Sequence, residues 1–208
     1  MGNNQLTANS IKDAGVWINP DPKRIDVLVT YLQPLLQALE WNNKAYSRAI
    51  KFSRIEGNKD YIYPALFVGE GIDYLDALQL DDNVSYTFFY TEDSERSVNP
   101  KTGKCVNEWE QVLKLYVWLD MEQVNINNGF DVAPEIKDSV ISIFAGLKPS
   151  FRVNGQFIQS LNIEAIYEDP FKVFEGFSIQ QSKHQWLYYP YKALRFDIKV
   201  VYLDTCMC

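Results

Sequence analysis

Leu194-Arg195-Phe196-Asp197-Ile198-Lys199-Val200-Val201-Tyr202-Leu203 reads as a strand with one dry face and one wet one. Leu194, Phe196, Ile198, Val200 and Tyr202 fall on one side of an extended chain, and Arg195, Asp197 and Lys199 on the other. A period of two is the mark of a half-buried strand. The aromatic run Trp186-Leu187-Tyr188-Tyr189-Pro190-Tyr191 leads into it. Pro190 has no N–H to give to a ladder, so it marks the entry. A strand of this kind needs neighbours with the same habit.

The sequence supplies them. Val84 to Thr91 sets Val84, Tyr86, Phe88 and Tyr90 against Ser85 and Thr87. Trp109 to Val124 sets Leu113, Leu115, Val117, Leu119 and Met121 against Lys114, Tyr116, Trp118 and Asp120, a long strand whose outward Tyr116 and Trp118 imply a covering. Ala45 to Phe52 reads as a strand in which Arg48 breaks the apolar side, the habit of an edge or of a strand facing a partner. Gly57 to Asp60 is a turn, and Tyr61 to Val68 is β-rich with Pro64 inside it, again pointing to an edge or a bulge. Phe151-Arg152-Val153, Asn154-Gly155, Gln156-Phe157-Ile158 predicts a hairpin, because Asn-Gly suits a two-residue type I′ turn. Leu161 to Tyr167 and Phe171 to Ile179 read as two further β runs, broken at Asp169-Pro170.

Two stretches have helical spacing instead. Asp21-Pro22 offers an N-cap and a first-turn proline. Ile25, Leu28, Val29, Leu32, Leu35, Leu36 and Leu39 then form one wide apolar stripe, within which Pro34 predicts a kink or a split. A second helix opens near Pro134, carries Ile136, Val140, Ile143, Phe144 and Leu147, and ends at Gly146 and Pro149. Strand runs separated by single helices indicate α+β: an antiparallel β-sheet, sandwich-like or curled, with two amphipathic helices packed on it.

At 208 residues the chain makes one domain, 1–208, with a polar N-terminal arm over 1–15, a long polar loop over 92–107 and a β-hairpin arm over 149–160. Aromatic residues reach 14%, which favours sheets and contact surfaces. The net charge of −7 argues against gripping nucleic acid, which needs a basic footprint. No apolar run approaches the ~18 residues of a membrane span, and the opening Met-Gly-Asn-Asn-Gln-Leu-Thr carries no secretory signal. Leu6 stands where a myristoylation motif needs Ser or Thr. Cys105, Cys206 and Cys208 read as free thiols in a reducing cytoplasm.

Chemistry is sparse. His184 is the one histidine and lies in a polar run, which disfavours His-based triads and metal sites. No Walker loop, dinucleotide fingerprint or nucleophile elbow is present. Asp73, Asp76, Asp81 and Asp82 lack calcium-loop spacing and read as a solvated face. No catalytic residue, metal ligand or cofactor is expected, and the chain reads as a non-enzyme.

Surface is what remains unusual. Tyr188, Tyr189 and Tyr191, the outward Tyr116 and Trp118, the hairpin turn Asn154-Gly155, and Glu92, Asp93 and Arg96 of the polar loop are candidate subunit-contact residues, since Tyr, Trp and Arg are enriched at interfaces. Tyrosines packing at sheet edges are the plainer account of each.

The closing pattern Tyr188-Tyr-Pro-Tyr-Lys-Ala-Leu-Arg-Phe-Asp-Ile-Lys-Val-Val-Tyr-Leu203, with Cys206 just beyond, resembles structural proteins of tailed phages of gut Bacteroidetes, especially the crAss-like group. The element order over about residues 22 to 204 is similar to the tail-terminator or neck-protein fold. That resemblance implies a homo-oligomeric ring beneath the portal, joining capsid to tail, lining the DNA channel and touching portal and adjacent neck or tail proteins. It implies a virion location, with twelve-fold symmetry favoured over six-fold. Two rivals stand beside it. One is an aromatic-rich module binding a glycan or receptor; the other is an enzyme working with carboxylates alone.

Overall fold

The structure is a computed structural model that describes residues 17–68, 74–79, 85–92, 95–99, 106–124, 131–178 and 190–205. The closing strand is its centre. β10 (Tyr191–Thr205) runs antiparallel between β7 (Val106–Asp120) and β9 (Gln156–Tyr167). Around that trio the large sheet adds β1 (Lys44–Arg48), β5 (Tyr86–Thr91), β6 (Arg96–Asn99) and β8 (Phe151–Val153) in the order β1-β5-β7-β10-β9-β8, with β6 on β7 beyond the end of β5. β1 pairs β5 in parallel, so the sheet is mixed, and the rest is antiparallel. The chain is α+β.

The dry face of β10 is as dry as the alternation demands. Leu194, Phe196, Ile198, Val200 and Tyr202 are all fully buried, beside Leu113, Leu115, Val117 and Leu119 of β7. Two helices cover this face: α1 (Ile25–Gln37), through Leu28, Leu32 and Leu36, and α3 (Ala133–Gly146), through Ile136, Val140 and Phe144. Each fully buried side chain of this size is worth about 1.5–3 kcal/mol against exposure. Leu161, Ile163 and Ile166 of β9 join them, although their spacing is two and then three. Glu164 absorbs the extra residue as a bulge, because Ile163 pairs with Ile198 and Ala165 with Asp197.

The other face is covered too, by the chain itself. A second sheet of β2 (Ile50–Glu56), β3 (Lys59–Phe67) and β4 (Tyr74–Asp76) joins the single-turn helix α4 (Pro170–Val173) over it. Beneath lie Tyr86, Phe88, Tyr116 and Trp118, with Phe88 and Tyr116 stacked at 4.8 Å between ring centroids and 2° between planes. β7 is therefore buried on both sides, from Leu113 to Asp120 without a break.

Several expectations need correction. The stretch Ala45–Phe52 is two strands in two sheets, separated at Ala49, whose N–H bonds the Phe89 carbonyl at 2.7 Å. Of the expected 171–179 strand, the described part, 171–178, is not β: Asp169 accepts from the Phe171 N–H at 3.0 Å with Pro170 following it, so a cap starts a helix where the hydrophobic pattern alone read strand. β7 stops at Asp120 and the chain turns helical in α2 (Met121–Val124). α1 opens at Ile25 rather than at Pro22, because Arg24, with φ of 55°, reaches back to Glu95 and over the Trp109 ring at 5.1 Å. Pro34 does not split that helix; it stands in the last turn, where one lost hydrogen bond matters least. The 92–107 stretch includes β6, paired to β7. The 149–160 hairpin, with Asn154 at φ 46° and Gly155 at φ 84°, is the turn expected, but β8 and β9 are built into the sheet rather than standing off as an arm.

Candidate subunit-contact surface

Tyr116 and Trp118 cannot be contact residues for a partner. They are 1% and 3% exposed, held between Phe88, Tyr86 and Phe174. Burial also pushes the Tyr116 phenol far above its ordinary range. What the alternation registered as an outward aromatic face is the floor of a second core. Tyr191 lies against Trp118 at 6.0 Å, at the same end of the sheet. Tyr188, Tyr189 and Asp93 lie outside the described residues, as do the 1–15 arm and the cysteines.

The remaining candidates fall elsewhere. Glu92 accepts from the buried Lys114 ammonium at 2.6 Å, so it closes the rim of the second core. Beside Lys114 in the ladder is Asp197, and next on β10 is Arg195. The Arg195 guanidinium is almost fully buried, 2.9 Å from the Asp197 carboxylate, 2.6 Å from the Lys172 carbonyl, and over the Tyr167 ring at 4.2 Å. Each of these charges meets a neighbour, and together they seal the edge of the second core.

Beyond the Lys114–Asp197 pair the second core stops and the two long strands continue. From Leu113 back to Val106, β7 extends roughly 20–25 Å. The register there sets out three rows across one face. Val112, Lys199 and Asn162 form the first; Arg96, Glu110, Val201 and Ser160 the second; Asn99, Glu108, Leu203, Phe157 and Arg152 the third. None of these residues packs into either core cluster, although Val201 is itself buried between its neighbours. Val112 is 39% exposed, Lys199 meets Glu110 at 3.0 Å, and Arg152 lies over Phe157 at 5.7 Å. Apolar side chains alternate here with charged ones, on a face of the sheet end that neither core reaches. Arg96 lies in this face and Asn154-Gly155 at its end, so the polar stretch and the hairpin converge on one place. Of these residues only Lys199 stood out in the sequence as a wet strand position; that no covering layer reaches it was not legible.

On the opposite face of this end, Arg24 and the Tyr202 hydroxyl both bond Glu95. Burial, then Glu95, pushes the Tyr202 phenol well above its ordinary range. That cluster pins the start of α1 to the sheet.

Among the described residues no group of three or more His, Cys, Asp or Glu side chains could hold a metal ion, and no helix is long and apolar enough to cross a membrane. No protein-family model matches the chain, and none of the curated proteins is significantly similar to it.

Proposed function

We propose that this chain is a non-catalytic structural subunit that closes into a homo-oligomeric ring, in the neck of a tailed-phage virion between portal and tail. The observation that carries the reading is the uncovered end of the large sheet. β7 and β10 run past the second core and offer a face of Val112, Leu203 and Phe157 set among Arg96, Glu110 and Lys199. Past Leu113 one face of these 15-residue strands lacks a covering layer, which a single antiparallel sheet can leave to water and a ring subunit can bury against its neighbour. A ring needs two unlike surfaces on each subunit. This face supplies one of the two. A net charge of −7 suits a channel along which DNA passes without being held. Twelve-fold closure is favoured, with six-fold the alternative for a tail terminator.

Native mass with electron-microscope class averages tests it. Rings with a central hole are expected, and Val112→Asp with Lys199→Glu should return them to folded monomers. A monomer at every concentration that also fails to close on a phage portal overturns the reading.

A further inference from the structure

At the β1 edge, between α1 and the second sheet, lies a cleft of about 270 Å³. Its aromatic wall is Trp17, Phe67 and Tyr74; its polar groups are Asn19, Asp26, Thr30, Ser47 and Arg48. Asp26 and Arg48 form a two-pronged ion pair, Nε to Oδ1 at 2.6 Å and the terminal nitrogen to Oδ2 at 2.9 Å. Arg48 therefore arrives already neutralised, and a phosphate or carboxylate ligand would have to break that pair to use it. What the cleft offers instead is an uncharged mixture: a planar ion pair with outer edges, two hydroxyls and an amide, beside ring faces.

The rings do not end at the cleft. Trp17 meets Phe67 edge-on at 4.7 Å, Phe67 meets Tyr74 at 5.5 Å, Tyr74 meets Phe52 at 5.0 Å and Phe52 meets Tyr63 at 6.2 Å. Arg54 lies over Tyr63 at 4.9 Å and closes the series. Tyr74 is 38% and Phe52 36% exposed, with neither in a core. This is a row of part-open rings leading out of a polar cleft across one face of the second sheet. Neutral sugars have the matching chemistry, with apolar C–H faces that lie on rings and hydroxyls that both donate and accept. Nucleic-acid bases would also stack, but Arg48, the cation lining the cleft, is already paired with Asp26 and the chain carries a net charge of −7.

We propose that the cleft and its ring track bind a neutral oligosaccharide, one residue seated between Trp17, Tyr74 and the Asp26–Arg48 pair, the next ones over Phe52. The site is separate from the uncovered end of the large sheet, so it does not rest on ring assembly.

Calorimetric titration of the full chain with neutral gluco-, manno- and galacto-hexasaccharides tests it. At least one should bind. Tyr74→Ala should weaken it about tenfold, the scale of one lost ring contact, and Thr30→Ala should weaken it while the melting temperature stays put. No binding by any of the three at millimolar concentration overturns the proposal, as does binding that Trp17→Ala and Tyr74→Ala leave unchanged. A change of native mass in Phe52→Ala without sugar binding would give the rings to a subunit contact and overturn it equally.

Discussion

The side chain of Gln37 treats Ala45 as a neighbouring strand would: its Oε1 accepts the Ala45 N–H at 2.6 Å, and its Nε2 donates to the Asn43 carbonyl at 2.6 Å. One turn earlier on α1, Gln33 donates from Nε2 to the Ala45 carbonyl at 2.8 Å. β1 is an edge of the large sheet, and an unpaired edge invites another chain. Two glutamines at i and i+4 close it. Gln37→Leu should cost about 1–3 kcal/mol, the penalty of stranding buried backbone groups. Urea unfolding reads the loss, and aggregation during refolding should rise with it. An unchanged midpoint would mean that water serves the edge as well as the helix does.

Trp118 separates the two accounts of the aromatic face. As part of the second core, Trp118→Ala should destabilise the chain by about 3–5 kcal/mol. Native mass, measured below the unfolding midpoint, should stay as it is in the parent. Loss of assembly with an unchanged midpoint would return this ring to a subunit contact.

Trp118 also marks where the fold stops being legible in the sequence. Period-two alternation on β10 and β7 placed Leu113, Leu115, Val117, Phe196, Ile198 and Val200 correctly, because burial on the helix-covered face selects apolar side chains alone. It rightly implied a covering over Tyr116 and Trp118 but wrongly gave that covering to a subunit contact, since a strand buried on both sides and a strand with an aromatic contact face present the same residues. What covers a face comes from 50–67 and 170–177, far away in the chain, and no local pattern announces it. The single-turn α4 escaped notice for a different reason: four residues carry no period, although Asp169-Pro170 was a legible cap. The bulge at Glu164 was hidden because pairing, not composition, reveals an extra residue. The cleft drew on Trp17, Asp26, Arg48 and Tyr74 from four separate stretches, of which only Arg48 had stood out, as a break in a strand.

Arg195 and Asp197 offer a double-mutant test of the seal around the second core. Removing the guanidinium alone leaves the half-buried Asp197 carboxylate without its 2.9 Å partner and the Lys172 carbonyl without its donor. Arg195→Met should therefore cost about 3–5 kcal/mol, the scale for breaking one side of a buried pair. Adding Asp197→Asn to Arg195→Met should recover part of that loss, because the stranded charge is gone. Chemical denaturation of the parent, both single variants and the double variant measures the coupling directly. Strict additivity would show that the two groups do not act together.

Acid should loosen the junction where α3, β9 and β10 meet. Lys192 donates to both oxygens of Asp131 at 2.8 Å, and the Ala133 N–H donates to the same carboxylate at 3.0 Å, so that carboxyl is held below its ordinary range, the lysine bond being the main cause. Glu168 is likewise lowered, chiefly by the Lys137 ammonium at 2.6 Å, with Lys192 adding to it from 3.4 Å. A carboxyl whose folded pKa is depressed contributes stability that is complete above its unfolded pKa and is lost as pH falls through the folded one. The window therefore lies at and below the usual carboxylate range, and nothing from this pair changes near neutrality. Both carboxylates are well exposed, so solvent screening holds each pair to ~1 kcal/mol or less. Lys192→Met, which takes a cation from both, should flatten the fall in the urea midpoint between neutral and acid pH while lowering the neutral value slightly. A slope identical to the parent's would place the acid sensitivity in other carboxylates.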